Sequence, residues 1–483
     1  MRAPRAWGQL GGMHGSVTAA GSLSPAGLCA RLLLPLVLLA ACAAPETRVP
    51  PPADAYRDVA PGGHDGLRYW ADDLDPRQQA RANAEMRDAL VERWTGAGRP
   101  AAGLTVDMLA LSGGAADGAY GAGLLTGWTA RGDRPTFDVV TGISVGALIA
   151  PFAFLGSDYD HALRTIFTEL DTTDVAQLQV VRALFGALAL ARTDPLRGQI
   201  ERFVDDAFLA EIAAAHRRGR RLLIGTTNID AARPVVWNMG RIAALGELEL
   251  FRDVLLASAS IPGAFPPIPI AVEVDGRRYT ELHVDGGVTH AVTIGPSRAA
   301  ELLPRDLPFP VARTVYVVVN FALVPAYEPV PDRLVPIVTR SLSTLIRAQS
   351  GGDLLRIHRE AEAAGAAFRL TFLPPDFRAP QASAFDRAYM TALFETGAQA
   401  GEGGVDWLEK PPELLGRGAV ERALDPAPRP LADTPSRGRA ASPGRSGRAV
   451  RPAGSSTARR GDWRRGRRRS RCSSAARWRR GRR

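Results

Sequence analysis

Ser144 stands between two glycines in Gly142-Ile143-Ser144-Val145-Gly146, a G-x-S-x-G pentapeptide. That spacing suits a sharp strand-to-helix turn. Such a turn holds a hydroxyl in the open, and the helix N-terminus behind it favours developing negative charge. The chemistry it serves is nucleophilic attack on a carbonyl carbon. The pentapeptide also recurs by chance, so its setting between a strand and a helix carries the argument.

A glycine-rich element lies upstream, Ser112-Gly113-Gly114-Ala115-Ala116-Asp117-Gly118-Ala119-Tyr120-Gly121-Ala122-Gly123. Directly after a strand, glycines leave amide N–H groups free to point into a cleft, as an oxyanion hole requires. Each such donor is worth about 3 kcal/mol in the transition state. Glycine-rich turns also cradle dinucleotide phosphates, but Gly118, Gly121 and Gly123 do not give G-x-G-x-x-G. Close packing of a small-residue helix accounts for Ala119, Ala122 and Gly123. A third element is Asp285-Gly286-Gly287, at the end of an apolar-ended strand. A carboxylate there could take the serine proton directly, although the same tripeptide also makes ordinary turns.

A Ser-His-Asp plan would need a histidine. His161 follows the serine helix, and His283 and His290 flank Asp285. His283 lies two residues before the aspartate and would share its strand face. All three read as polar surface or structural residues, with His283 and His290 near enough to tune the base. No histidine–carboxylate cluster has metal-ligand spacing, so no metal and no other cofactor is expected.

These groups need strand ends to position them. The apolar runs Val106–Leu111 and Phe137–Thr141 each meet a tight turn and then a helical segment, Gly118–Ala130 and Gly146–Leu155. Two strand-turn-helix units within fifty residues predict an α/β fold with a parallel sheet and crossover helices. Further strands are expected at Arg221–Thr226, Tyr279–Val284, Thr314–Asn320 and Phe368–Phe372. Helical patterns cover Asp75–Thr95, Ala162–Leu170, Pro195–Ala215 and Ile337–Ala363.

In this order, the glycine loop, G-x-S-x-G and D-G-G resemble the patatin-like phospholipase family. So does Ala257-Ser258-Ala259-Ser260-Ile261-Pro262-Gly263-Ala264-Phe265-Pro266-Pro267, which lies before the aspartate. The resemblance covers about Val106 to Pro411. It implies a three-layer α/β/α fold with a mainly parallel central sheet, and a Ser144–Asp285 dyad acting on acyl esters of lipids or phospholipids, with the amides of Gly113, Gly114 and Ala115 as the oxyanion hole. Two positions depart from the family pattern. Ala115 stands where many relatives have a third glycine, tolerable if its backbone does not need positive φ. Asp117 stands where they have a basic residue, and reads as a cap for the helix near Gly118 or as a charge disfavouring anionic lipids. The alternative function is a catalytically weak envelope protein that binds lipid or a partner through the same fold. An acyltransferase is a third.

The ends of the chain have their own character. Arg31 precedes a short apolar run ending Leu39-Ala40-Ala41-Cys42, the pattern of a secretory signal that resembles a bacterial lipobox. Residues 1–41 are thus expected to be a lipoprotein signal peptide, with Cys42 acylated as a membrane anchor. Since Ala43 is not aspartate, the outer membrane facing the periplasm is the expected destination in a Gram-negative cell. Residues 42–74 are expected to form a flexible tether and 75–411 the hydrolase domain. Residues 412–483 read as a disordered arginine-rich tail. Residues 431–483 hold 18 Arg against two Asp, so the formal charge of +10 conceals −6 over the rest of the chain. That basic balance belongs to the tail, and no nucleic-acid partner is expected. Cys29, Cys42 and Cys472 leave no pair for a disulfide in the body.

Overall fold

The computed structural model describes residues 48–175, 177–178, 191–296, 304, 306–324, 327 and 329–415. The proposed leader, Cys42 and the arginine-rich segment from 416 onward lie outside the described residues.

Strands β1 (Ala60–Pro61) and β2 (Arg68–Trp70) precede helix α1 (Pro76–Gly96). β3 (Leu104–Leu111) leads through the glycine loop to α2 (Gly118–Arg131), and β4 (Val139–Ile143) through Ser144 to α3 (Val145–Leu155). Helices α4 (Asp160–Glu169) and α5 (Thr172–Val175) come next, then a small ribbon of β5 (Gln177–Leu178) and β6 (Ala191–Arg192). After it stand α6 (Asp194–Phe203), α7 (Asp206–Arg217), β7 (Arg221–Asn228), β8 (Arg233–Asn238), α8 (Met239–Ala244) and α9 (Leu248–Ser258). β9 (Ile268–Val274), β10 (Arg277–Asp285), β11 (Val311–Val319), α10 (Leu334–Ala363), β12 (Ala367–Phe372) and α11 (Arg387–Gly403) complete the body.

Ten strands form one mixed sheet in the order β1-β9-β10-β7-β4-β3-β11-β12, with β8 pairing β7 and β2 pairing β8. From β7 to β12 every neighbour in that order is parallel. The remaining pairs are antiparallel. Helices cover both faces, which is why β4 and β7 are buried along their whole length.

Strand alternation sorts the apolar residues into two cores. Leu109, Leu111, Leu222 and Ile224 face a core built with α2, α3, α6, α7, α9 and α11. Val106, Met108, Ala110, Leu223, Val315 and Val317 face the other, closed by Met86 and Leu90 of α1 and by Leu354, Ile357 and Ala361 of α10. The result is a three-layer α/β/α sandwich. In the first core α2 and α11 touch backbone to backbone, since a methyl group on Gly123 would collide with the Phe394 carbonyl.

β7 is shared in a way that matters for chemistry. One edge carries β8. Along the other, β4 runs parallel and ends with Ile143 opposite Gly225, while β10 arrives antiparallel and ends with Asp285 opposite Thr226. Two strands therefore meet tip to tip on one neighbour.

Three expectations change. Residues 48–74 of the predicted tether pack against the body: β1 pairs β9, β2 pairs β8, and Val59 and Leu67 are buried. Arg48 pairs with Asp230, and Arg68 makes a buried ion pair with Glu281. Proline-rich composition hid these short apolar insertions. The predicted helix Pro195–Ala215 is two helices, because Asp205 is extended and its side chain accepts from the Phe208 amide at 2.8 Å, starting α7 afresh. The antiparallel strands β8 and β9, and helices α8, α9 and α11, went unpredicted. Among the described residues no helix is long and apolar enough to cross a membrane.

Candidate active site

Ser144 occupies the turn between β4 and α3 with φ 55° and ψ −125°. That positive-φ conformation is costly for any residue with a side chain, and it turns the hydroxyl away from the helix. The turn is tight enough that a methyl group on Gly146 would lie 2.5 Å from the Leu111 carbonyl oxygen and 2.6 Å from that of Ser112. Glycine is required there for close approach of the two strand ends.

The Ser144 hydroxyl donates to Asp285 Oδ2 at 2.6 Å. The tip-to-tip arrangement brings this about, because Ser144 is the first residue past the end of β4 and Asp285 the last of β10. The other carboxylate oxygen, Oδ1, accepts from the Gly287 amide at 2.7 Å. Asp285 is buried, and burial pushes its carboxyl up to about 7 even though the bonds from Ser144 and Gly287 pull it down.

The backbone of the turn is held from a third direction. The Ser144 amide donates to Ser258 Oγ at 3.0 Å, and that hydroxyl donates to the Gly225 carbonyl at 2.7 Å. The Asp285 amide donates to the Ser260 carbonyl at 3.0 Å. Residues 257–267, recognised in the sequence only as a motif, thus brace both members of the pair.

The glycine loop lies alongside: a methyl group on Gly113 would stand 3.1 Å from Ser144 Cβ. The predicted oxyanion trio loses one member. Gly113 donates its amide to the Ala291 carbonyl at 3.1 Å, stitching the loop to the segment after Asp285. The amides of Gly114 and Ala115 make no hydrogen bond among the described residues. Ala115 has φ 51°, so its backbone does take the positive φ that disfavours a side chain. Asn320, fully buried at the end of β11, fixes the loop from below: its amide donates to Ser112 Oγ at 2.9 Å and its Nδ2 to the Ser112 carbonyl at 2.7 Å.

Asp117 sits at the N-cap position of α2 but makes no capping bond. Its carboxylate accepts from the Tyr389 hydroxyl at 2.7 Å. Burial raises it to about 6, against lowering contributions from Tyr389 and the Arg347 guanidinium. The sequence could not reveal a partner 272 residues away.

None of the three histidines bonds to Ser144 or Asp285. His283 is fully buried, with Nδ1 2.9 Å from Thr226 Oγ1 and Nε2 3.2 Å from Glu281 Oε2. Burial lowers its pKa. His290 Nδ1 meets Asp353 Oδ1 at 3.1 Å, and Asp353 Oδ2 accepts from the Ala291 amide at 2.7 Å. His161 meets the Asp158 carbonyl at 2.9 Å. His283 and His290 thus pack near the pair without joining it, and His161 lies outside the site.

Ser144 and Ala115 open into an apolar cleft. Its walls are Val145, Leu148 and Phe152 of α3, Ile166 and Phe167 of α4, Leu196, Ile200 and Phe203 of α6, with Leu255, Ile261, Phe265 and Met390. Gln199 is the single polar side chain besides Ser144 in that lining. Such a wall takes a hydrocarbon chain. Among the described residues no cluster of His, Cys, Asp or Glu could hold a metal ion.

A serine bonded directly to a buried carboxylate, beside a glycine loop on a three-layer α/β/α sheet, defines the class. Residues 109–296 match the family model of patatin-like phospholipase. Those residues thus form a patatin-like phospholipase domain, the domain of a family of lipid acyl hydrolases. The match spans Gly113, Gly114, Ala115, Ser144 and Asp285. No curated protein sequence matches the chain. The crystal structure of VipD from Legionella pneumophila is similar at 12% identity, covering 63% of this chain and 67% of that one with a TM-score of 0.27. That likeness is too remote to bear on function.

Proposed function

We propose that the protein hydrolyses acyl esters of lipids, as a phospholipase A, lysophospholipase or esterase, through a Ser144–Asp285 dyad and an acyl-serine intermediate. The 2.6 Å bond between Ser144 Oγ and Asp285 Oδ2, beside an apolar cleft, carries this reading. Ser144 Oγ attacks the ester carbonyl as its proton passes to Asp285. The tetrahedral oxyanion faces the amides of Gly114 and Ala115. Collapse expels the alcohol, which takes the proton from Asp285, and leaves the acyl group on Ser144. Water then attacks, losing its proton to Asp285, and the freed serine recovers it. A carboxyl with a pKa of about 7 is well matched to such a relay near neutral pH. Export by the leader and acylation of Cys42, placing the enzyme on a membrane, belong to the same reading and rest on the lipobox-like sequence.

The test is hydrolysis of p-nitrophenyl esters and then of phospholipid vesicles by the full chain. Ser144→Ala and Asp285→Asn should each lower kcat by at least about a thousandfold, as loss of a nucleophile or its base does elsewhere. His161→Ala should stay within about twofold of the parent, as befits an exposed residue outside the site. Serine-independent turnover, or none in a folded sample, would defeat the proposal and favour a binding protein.

A further inference from the structure

Helix α10 presents an apolar stripe to the outside. Leu334, Ile337, Val338 and Leu345 fall at i, i+3, i+4 and i+11, on one face of the helix. Leu334 is 77% exposed and Leu345 66%, and Ile337 and Val338 are exposed too. Folded chains leave few such rows uncovered, and a row of this kind marks an interaction surface.

The charges on the same stretch indicate what the row meets. Between Asp332 and Asp353 the sequence holds Arg333, Arg340 and Arg347 and no carboxylate, the rest being apolar, serine, threonine, glutamine, proline and glycine. Arg347 is half-buried and turned toward Asp117, which leaves Arg333 and Arg340. An apolar row whose remaining charges are all cationic is the make-up of a helix lying in a bilayer interface, where anionic headgroups attract arginine. The helix also packs on the segment that follows Asp285. Ile346 comes within 3.6 Å of where a methyl group on Gly287 would stand, Gln349 donates to the Thr289 carbonyl, and Asp353 accepts from the Ala291 amide. Val288, three residues past Asp285, is exposed as well. A surface that seats α10 thereby seats the Asp285 side of the site.

We infer that the first turns of α10, residues 334–348, dock on the surface of an anionic lipid bilayer and hold the active site against it. The inference rests on the lipid-hydrolase reading for its purpose, but the docking is measurable without turnover. The full chain carrying Ser144→Ala is mixed with vesicles of phosphatidylcholine, alone or with phosphatidylglycerol, and amide hydrogen exchange is followed over residues 334–348. Exchange there should slow about fivefold or more on mixed vesicles, and less on phosphatidylcholine alone. Leu334→Asp with Leu345→Asp, both at exposed positions, should abolish that slowing. In the chain with Ser144 intact the same pair should cut vesicle hydrolysis about tenfold and leave a soluble short-chain ester within about twofold. Unchanged exchange on vesicles would overturn the inference. Exchange there that slows with rising protein concentration before vesicles are added would also overturn it, by showing that a second copy covers the stripe. Loss of soluble-ester turnover in the parent would strike the hydrolase reading alone, since the exchange arm still decides the docking.

Discussion

Ser258 joins the turn at Ser144 to the middle of the sheet: its hydroxyl accepts from the Ser144 amide at 3.0 Å and donates to the Gly225 carbonyl at 2.7 Å. Ser258→Ala leaves a buried amide and a buried carbonyl without these partners, a cost of about 1–3 kcal/mol. The thermal midpoint should fall accordingly. The loosened turn should lower kcat by about tenfold, which corresponds to about 1.4 kcal/mol of transition-state stabilisation. KM should change little, because Ser258 does not line the cleft. Steady-state kinetics beside a melting curve checks both, and an unchanged kcat would mean the turn holds itself.

On the proposed mechanism, Asp285 sets the pH dependence. As a base it must be ionised, so kcat/KM should rise with pH and level off above about 7. Its effect on stability has the opposite sense. The folded carboxyl is pushed up to about 7 from an ordinary value of 3.8, so between those values the native state holds more protons than the unfolded chain. Stability contributed by this group is present at low pH and is lost as pH rises through about 7. Asp285→Asn removes that loss. Its stability relative to the parent should therefore improve from pH 4 to pH 8, read by denaturant titration, while its activity is absent throughout.

Strain at Ser144 gives a separate prediction. A residue held at φ 55° and ψ −125° costs about 1–3 kcal/mol that glycine would largely avoid. Ser144→Gly and Ser144→Ala should both be inactive, yet the glycine variant should be the more stable by about 1 kcal/mol once its own greater unfolded-state entropy is counted. Equal melting temperatures for the two would show that the turn bears no such strain.

Leu148 lies one turn beyond Ser144 on α3 and lines the cleft, half-buried. Leu148→Trp should fill the space beside the nucleophile. Relative kcat/KM for long-chain over short-chain p-nitrophenyl esters should fall by roughly tenfold or more, the worth of a few methylenes displaced from an apolar wall. A uniform loss across chain lengths would place the acyl chain elsewhere.

The Ser144 turn, the strand end at Asp285 and the parallel core were legible because each is written locally. β3 ends in the apolar run Met108–Leu111 and β4 opens with Val139 and Val140, both lead into glycine-bearing turns, and Asp285 ends a strand and meets two more glycines. The bracing residues were not legible. Ser258 and Ser144 are 114 residues apart, and Asn320 reaches Ser112 across 208. Nothing in a single sequence tells those side chains from any others. β9 alternates buried Ile268, Ile270 and Val272 with outward residues, but Pro269 within it argued against a strand. β8 was hidden by Pro234, whose neighbours pair with β7 on one side and β2 on the other. The oxyanion trio was overcounted because glycine spacing says where amides are free of side chains, not which have found a carbonyl. The cleft was invisible for a simpler reason: its walls come from helices that share no sequence neighbourhood.

The meeting of β4 and β10 on one edge of β7 gives the chain unusual tolerance in one direction and none in the other. Between Ser144 and Asp285, 141 positions apart, lie helices, loops and further strands. Additions to those connections need not move the nucleophile from its base, because both are indexed to adjacent residues, Gly225 and Thr226, of a third strand. Substrate range can therefore drift with the connecting helices while the reacting atoms keep their spacing. A single residue inserted inside β7 at that point has the reverse effect. It would part the two strand tips by about 3.3 Å and turn the remainder of the strand to the opposite face of the sheet. Indels surveyed across an engineered library should respect this asymmetry, accumulating in the connections and vanishing from that one peptide.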